Sequence, residues 1–161
     1  DPNLYLVMVF ERCAKDVDAG SDPRELAAFE NLLSKCTHAD AAALLAKRLK
    51  IIPNLARGGG WIVRRTVGNK PAIVGKVLKL AHFVGSGYVE VDIDLEASAM
   101  AKHILSVVTP LSQRLVIDIA FVLEGQDETE LPERLLGGCR IHRINVAQAS
   151  ECRRVDDVRQ D

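Results

Sequence analysis

The sequence predicts an α+β domain built on a mainly antiparallel, twisted sheet with helices packed on one face. Two observations support this fold class. Helical and strand-like segments are mixed along the chain, without the regular strand–helix–strand alternation of a parallel sheet. Residues 88–95 alternate strictly between polar and apolar side chains, which is typical of an antiparallel strand with one solvated face.

The composition indicates one soluble domain. The chain has 161 residues, of which 48% are hydrophobic and 27% charged, as in ordinary globular proteins. We expect a single domain over residues 1–149 and a solvated tail over 150–161. No apolar run is long enough to span a membrane and no leader is visible, so a cytoplasmic location is expected. Because the chain opens on Asp1 without methionine, we expect it to be part of a longer protein.

The first third of the chain predicts a strand and two helices. Residues 4–10 form a continuous apolar run with aromatic and β-branched members, which favours a buried strand. Ser21 or Asp22 can cap a helix that starts near Pro23. Residues 38–49 have the pattern of a second helix, and Pro53 ends that pattern.

The middle of the chain predicts a strand and a hairpin. Residues 61–67 are interpreted as a strand, followed by turn chemistry at 68–71. A hairpin loop at 84–87 would place Phe83 opposite Tyr88 and Lys79 opposite Asp92, giving a cross-strand ion pair.

The last third of the chain predicts a helix over 96–108 and the central strand of the sheet over 114–125. That strand is apolar on both faces, which indicates a position between two neighbours. An acidic helical turn at 127–136 and a last strand at 139–146 follow. The inward face of the helix is expected to carry Ala97, Met100, Ala101, Ile104 and Leu105.

Two glycine-containing motifs and an acidic strand suggest ligand chemistry but do not satisfy its spacing. Six residues separate Gly68 from Gly75, and Val77 replaces the hydroxyl that a phosphate-binding loop needs, so no nucleotide site is expected. The Gly-Ser-Gly at 85–87 leads into a strand and lacks the third glycine of a dinucleotide fingerprint. Alternate side chains along a strand stand roughly 6.5–7 Å apart, so the carboxylates of residues 90, 92 and 94 cannot converge on one metal ion. We therefore predict neither a metal nor a cofactor.

Asp118 is the one carboxylate inside an apolar strand. An unpaired buried carboxylate is costly, so Arg64, Arg65, Trp61 or a backbone donor is the expected partner. The alternative is a polar group, together with Trp61 and Tyr88, in a ligand cavity. The histidines at 38, 82, 103 and 142 have neither metal-site nor triad spacing, so no catalytic residue is predicted. The cysteines at 13, 36, 139 and 152 are widely spaced and are expected to be reduced.

A basic window is the most informative feature of the charge pattern. Residues 41–89 contain nine lysines and arginines and no acidic residue, although the net charge of the chain is −1. Such a run is either a solvated face or a binding surface for an anionic partner. Anionic lipid is favoured over nucleic acid, because few aromatic side chains are available for base stacking. The candidate headgroup-binding residues are Arg57, Arg64, Arg65, Lys70, Lys76 and Lys79.

Several motifs resemble the C-terminal domain of the plant and algal Enhanced Disease Resistance 2 proteins. They are "RLKIIPNLARGGGWIVRRTVGNKPAIVGKVL", "GSGYVEVDIDLEASA", "LVIDIAFVLEG" and "ELPERLLGGCRI", and the resemblance runs from about residue 49 to residue 144. In its longest members the family domain follows a pleckstrin-homology and a START domain, and the sheet here could be curved in a START-like way. The resemblance implies an N-terminally incomplete domain with a role in lipid binding, membrane traffic and negative regulation of defence or cell death.

The expected function is therefore a non-enzymatic regulatory module that binds an anionic lipid or a membrane surface from the cytosolic side. The first alternative is a structural or interaction domain, or a subunit of a larger assembly, whose basic face docks on an acidic protein. An enzyme is the third interpretation. An enclosed apolar cavity with basic residues at its mouth would favour lipid, whereas a filled core would favour protein docking.

Overall fold

The computed structural model of the chain describes residues 5–11, 22–38 and 41–150. Within these ranges it contains α-helices, β-strands and short 3₁₀ turns. The helices are α1 (Pro23–Lys35), α2 (Ala41–Arg48), α3 (Gly60–Val67) and α4 (Ala99–Val108). The strands are β1 (Leu49–Arg57), β2 (Ala72–Ile73), β3 (Lys79–Gly85), β4 (Tyr88–Asp94), β5 (Val116–Leu123) and β6 (Leu135–His142). This content confirms the α+β class; Cys13, Cys152 and the tail from residue 151 lie outside the described residues.

The main sheet is antiparallel, with strand order β2-β1-β5-β6. As predicted, the apolar strand β5 is central, between β1 and β6. Ile51 of β1 lies opposite Phe121 of β5, and Ile119 lies opposite Cys139 of β6. Paired residues point to the same face of a sheet, so these side chains define one face, called here the inner face.

The helices pack at the two ends of the inner face. At one end Leu32 of α1 and Leu45 of α2 are buried with Leu49 and Phe121. At the other end Leu55, Val63 of α3 and Leu115 form a second buried cluster, against which Val107 and Val108 of α4 pack. The prediction of helices on one face is confirmed, and the open sheet is consistent with the START-like form.

Strand β1 was not predicted, because Pro53 was interpreted as the end of a helical pattern. Helix α2 ends at Arg48, and β1 begins at the next residue. Pro53 lies inside β1, opposite Ile119. The short strand β2 pairs only with Lys50 and Ile51, so Pro53 lies where β1 is an edge strand, a position that tolerates the missing backbone N–H.

Helix α1 follows the predicted pattern, whereas the packing of α4 differs from it. Asp22 caps α1 by accepting a hydrogen bond from the Arg24 amide at 2.9 Å. Helix α4 starts at Ala99 with Ser98 as its cap, so Ala97 precedes it. Met100 is 52% exposed and Leu105 38% exposed. The inward face is instead Ala101 with Ile104 and the two C-terminal valines of α4, 107 and 108.

The prediction of a strand over 61–67 is wrong, because these residues form helix α3. Val63 and Val67 are one helical turn apart and face Leu55 in the second cluster. The preceding glycines allow the change of direction: Gly58 has φ +85°, and a Cβ there would lie 2.3 Å from the Arg114 carbonyl oxygen. Backbone geometry therefore overrides the strand propensity of this aromatic and β-branched segment.

Strands β3 and β4 form the predicted hairpin in a different register. The loop has two residues, Ser86 and Gly87, so Gly85 lies opposite Tyr88. Phe83 consequently faces Glu90, and Lys79 faces Asp94. The predicted pairs Phe83–Tyr88 and Lys79–Asp92 are therefore wrong by two residues. The predicted alternation of faces holds, since the apolar residues at 89, 91 and 93 are half-buried and the polar residues between them are exposed.

Residues 5–11 form neither helix nor strand, so the predicted buried strand at 4–10 is absent from the described part of that segment. Val7 is 78% exposed and Val9 86% exposed. The segment is held through Phe10, whose ring meets Phe121 edge-on at a centroid distance of 6.1 Å. The last strand, β6 (Leu135–His142), begins and ends four residues before the predicted range of 139–146.

Candidate functional site

Helix α3 presents aromatic and basic side chains to solvent. Trp61 is 73% exposed and Ile62 is 56% exposed, whereas Val63 is 2% exposed. Trp61, Arg64 and Arg65 are three and four residues apart, so they share one side of the helix. Because Val63 and Val67 anchor the opposite side, the outward direction of this surface is fixed by packing. We call the set Trp61, Ile62, Arg64 and Arg65 the α3 surface.

All six predicted headgroup-binding residues are exposed. Arg57 ends β1, and Arg64 and Arg65 lie on α3. Lys70 lies in the loop before β2, Lys76 ends the 3₁₀ turn Val74–Lys76, and Lys79 begins β3. Within residues 5–11, 22–38 and 41–150, no ion pair involves any of them. Their charges are therefore available to a partner.

A wide apolar cleft of about 2760 Å³ opens beside the inner face of the sheet. Its walls include Ile117 and Ile119 of β5 and Leu105 and Val108 of α4. Every residue of β4 also lines it, as do residues 5–11. The cleft is open to solvent. Residues 5–11, 22–38 and 41–150 therefore form neither the enclosed cavity expected for lipid binding nor the filled core expected for protein docking.

The charges around the cleft are mainly acidic. Among its described lining residues, two are basic, Lys79 and Arg134. The acidic lining residues are Glu11, Glu25, Glu90, Asp92, Asp94, Glu96 and Glu133. Lys79 is the one predicted headgroup-binding residue among the lining residues. The basic residues therefore do not surround the mouth of the cleft.

Asp118 has a different partner from those predicted. It lies on the face of the sheet opposite the cleft, where Arg140 donates to its two carboxylate oxygens at 2.6 and 3.0 Å. The side-chain amide of Asn54 donates to it at 3.3 Å. The hydrogen bonds from Arg140 lower the pKa of Asp118 below its usual value. Arg64, Arg65 and Trp61 do not contact it, and its role is a cross-strand ion pair between β5 and β6.

Trp61 and Tyr88, both predicted as polar groups of a cavity or of the structure, lie in different surroundings. Trp61 is exposed on α3 and does not line the cleft. Tyr88 is 57% exposed and lines the cleft at the start of β4. Its ring lies over Gly85 across the hairpin, where a Cβ would come within 2.0 Å of it. Val63 and Val67 are four residues apart, which is the spacing of one apolar helical face. This spacing is the sequence signal that places Trp61 on the exposed side of a helix.

A buried ionic cluster was missed entirely by the sequence interpretation. The side chain of Glu130 is fully buried and accepts hydrogen bonds from Lys35 at 2.5 Å and Arg48 at 2.7 Å. The backbone N–H of Gln126 donates to Oε2 of the same carboxylate at 2.9 Å. These donors hold the pKa of Glu130 at about 2, with the Lys35 hydrogen bond as the largest cause. The cluster joins the 3₁₀ turn at 128–130 to α1 and α2.

The histidines and cysteines do not assemble a reactive centre in the described ranges. His82 lies 2.9 Å from the Cys36 carbonyl oxygen, while His38, His103 and His142 are exposed on separate elements. No group of three or more His, Cys, Asp or Glu side chains among these residues could hold a metal ion. Likewise, none of the described helices has both the length and the hydrophobicity needed to cross a bilayer.

Comparison with known proteins identifies relatives by sequence. The family model described as "Protein ENHANCED DISEASE RESISTANCE 2, C-terminal" matches residues 1–145. The chain is 37% identical over 102 residues to "Protein ENHANCED DISEASE RESISTANCE 2-like" of Arabidopsis thaliana. That alignment covers 63% of this chain and 14% of the relative, so the chain spans a small part of the length of the curated protein that it matches. No solved structure matches the chain.

Proposed function

The chain belongs to the family of Enhanced Disease Resistance 2 C-terminal domains, and on that premise we propose that it is a non-enzymatic regulatory module that associates with anionic lipid surfaces. Its binding is peripheral, on the cytosolic face of a membrane. The α3 surface supplies the principal contact, and the neighbouring basic side chains supply additional charge.

The observation that carries this proposal is the combination of Trp61 and Ile62 with Arg64 and Arg65 on one short helix. Tryptophan favours the interface between headgroups and acyl chains, where its ring is apolar and its N–H remains hydrated. Guanidinium groups form strong hydrogen bonds with phosphate oxygens. A helix that exposes both kinds of side chain can lie in the plane of a membrane interface.

Charge supplies part of the free energy of binding. A basic side chain near an anionic membrane contributes about 1 kcal/mol. The six candidate residues have no competing ion pair in the described parts of the chain. Three of them, Arg57, Arg64 and Arg65, flank or lie on α3. Together they favour association by roughly 3 kcal/mol before any contribution from the Trp61 ring.

The cleft is a less suitable site for an anionic lipid. Its lining carries seven carboxylates against two basic groups, and like charges in such a site repel a phosphate headgroup. We therefore assign the lipid contact to the α3 surface and not to the cleft.

A second candidate is docking of the same basic residues on an acidic protein. Five of the six residues lie outside the cleft, on the surface of several elements, and such a distribution suits a broad protein contact. This candidate differs from the first in its dependence on Trp61, because a contact made mainly through charge needs no insertion of an aromatic ring.

Vesicle flotation tests the proposal. Phosphatidylcholine vesicles, alone or with phosphatidylserine or a phosphoinositide, are mixed with the chain at low and physiological salt. We expect flotation with anionic vesicles that weakens at higher salt. Arg64→Glu combined with Arg65→Glu should reduce the bound fraction at least tenfold, since reversing two charges removes about 1 kcal/mol each and adds repulsion.

Matched variants separate the two candidates. Lys47→Glu combined with Lys102→Glu changes the net charge equally at two exposed residues of α2 and α4 and should leave flotation nearly unchanged. Trp61→Ala should reduce flotation severalfold and blue-shifted Trp61 fluorescence should accompany binding of the unmodified chain. Equal loss of flotation in both charge-reversal pairs, or no binding to anionic vesicles at low salt, would overturn the lipid proposal.

A further inference from the structure

We infer that the free edge of β4 accepts an extended polypeptide strand in which basic and apolar residues alternate. The two-stranded hairpin β3-β4 has no third strand within the described residues. A strand edge without a neighbour presents a row of backbone donors and acceptors to any extended chain that reaches it. This inference concerns a protein ligand and is independent of the lipid contact on α3.

The hairpin register determines which backbone groups are free. Gly85 and Tyr88 flank a two-residue loop, and such a flanking pair is hydrogen-bonded across the hairpin. Hydrogen-bonded and non-hydrogen-bonded pairs alternate along antiparallel strands. The N–H and C=O groups of Val89, Val91 and Ile93 therefore point away from β3, towards the open edge.

The two outer edges of the hairpin have different surroundings. Strand β3 contacts α2 and the 3₁₀ turn Val74–Lys76, so these elements cover its side of the hairpin. Both strands line the open cleft, β3 at residues 79–81, 84 and 85 and β4 along its whole length, Tyr88–Asp94, but α2 and the 3₁₀ turn pack against β3. The cleft therefore gives an extended chain room to lie beside β4.

The side chains of β4 specify the chemistry of the partner. Val89, Val91 and Ile93 point to the half-buried face, where Val91 and Ile93 pack against the first core cluster. Glu90 and Asp92 are exposed on the other face, without an ion pair among the described residues. A neighbouring strand with apolar residues on the first face and lysine or arginine on the second would match both patterns.

A second copy of the chain does not fit this edge. Two β4 strands in antiparallel register would place the carboxylates of Glu90 and Asp92 beside those of the partner copy. Like charges directly opposite each other on neighbouring strands are destabilising. The same carboxylates, together with the other acidic residues of the cleft lining, disfavour an anionic lipid.

A synthetic peptide tests the inference directly. The probe is an acetylated and amidated peptide of alternating lysine and valine, as long as the seven residues of β4, with glutamate replacing lysine in the control. Binding to the full chain is measured by fluorescence polarisation, and amide hydrogen exchange is followed by NMR. We expect the lysine peptide to bind and to slow exchange at Val89, Val91 and Ile93, and the glutamate peptide not to bind.

Backbone methylation distinguishes strand addition from nonspecific attraction. In antiparallel pairing the valine N–H groups of the peptide face β4 and the lysine N–H groups face away. N-methylation of the valines should weaken binding by roughly fivefold for each lost hydrogen bond, whereas N-methylation of the lysines should have little effect. Asp92→Asn in the protein should also weaken binding, and Glu128→Gln, an exposed carboxylate outside the cleft lining, should not.

Several outcomes would overturn the inference. They are no binding of the lysine peptide, equal binding of the glutamate peptide, and equal effects of the two methylation patterns. Slower exchange at Val89, Val91 and Ile93 caused by anionic vesicles, or by dimerisation of the chain alone, would assign the edge to a lipid or to a second copy instead.

Discussion

Arg48 and Glu130 lie 82 residues apart in the sequence and meet at 2.7 Å in a buried ion pair. Arg48 is the last residue of α2, and Glu130 ends the 3₁₀ turn that follows β5. Lys35, at the end of α1, approaches the other oxygen of the same carboxylate. One side chain therefore fixes the ends of two helices to one turn.

Replacing Glu130 with glutamine should lower the free energy of unfolding by about 3 kcal/mol, because Arg48 and Lys35 lose the carboxylate that neutralises them. This is the low end of the range for breaking a buried pair, since Lys35 keeps partial access to solvent. Urea denaturation at neutral pH measures the change. Glu128→Gln, two residues away on the exposed side of the turn, should change stability by no more than about 0.5 kcal/mol.

The stability contributed by Glu130 should also depend on pH in one direction. Its pKa is about 2 in the folded chain, below the ordinary value of 4.5. A lowered pKa means that the contribution is fully present above the ordinary value and is lost as the pH falls towards about 2. Urea midpoints recorded between neutral and acidic pH should fall more steeply for the unmodified chain than for Glu130→Gln. Parallel curves would contradict this assignment.

Gly75→Ala should be destabilising although the backbone of Gly75 is not in the left-handed region. A Cβ at residue 75 would lie 2.2 Å from the carbonyl oxygen of Ala46 in α2. Separating the 3₁₀ turn from α2 should cost about 1–3 kcal/mol, as overpacking does elsewhere. Thermal unfolding measures the loss. Lys76→Ala, at the adjacent exposed residue, serves as the control, and equal effects of both substitutions would contradict the steric explanation.

Cys36 should react slowly with thiol reagents in the folded chain. Its side chain is buried, and burial raises its pKa to about 11 despite the opposing effect of Arg48. Only the thiolate form of cysteine is nucleophilic. Because the pKa of Cys36 is raised to about 11, little of its thiolate is present near neutral pH. Alkylation followed by peptide mass spectrometry should show that the half-buried Cys139 is modified before Cys36 and that Cys36 reacts only on unfolding. Early modification of Cys36 would contradict its burial.

The strands with clear side-chain patterns could be predicted from the sequence. The continuous apolar run of β5 and the alternation of β4 each identify a strand and its faces. Residues 61–67 were misassigned because tryptophan and β-branched residues favour strands, whereas the glycines before them and the spacing of Val63 and Val67 determine the helix. Pro53 suggests a break in regular structure, yet it lies inside β1. At this residue β1 is an edge strand, so its missing N–H costs no hydrogen bond to a neighbouring strand.

The candidate sites were predicted only in part. The six basic residues are exposed, as a binding surface requires, but the sequence could not show that only Lys79 lines the cleft. The partners of Asp118 and Glu130 depend on tertiary neighbours, and local patterns carry no information about pairs such as Asp118–Arg140 or Lys35–Glu130. The free edge of β4 likewise follows from topology and not from the composition of the strand.

The placement of the two buried clusters at opposite ends of one sheet face has a consequence for how the protein can change over evolution. Ile51 and Ile119, in the middle of that face, are half-buried, while Leu49 and Leu55 at the ends carry the close packing. Substitutions of Ile51 or Ile119 should therefore cost less stability than substitutions of Leu49 or Leu55, because they remove less buried apolar surface. A lineage could alter what the cleft accepts while keeping the same scaffold.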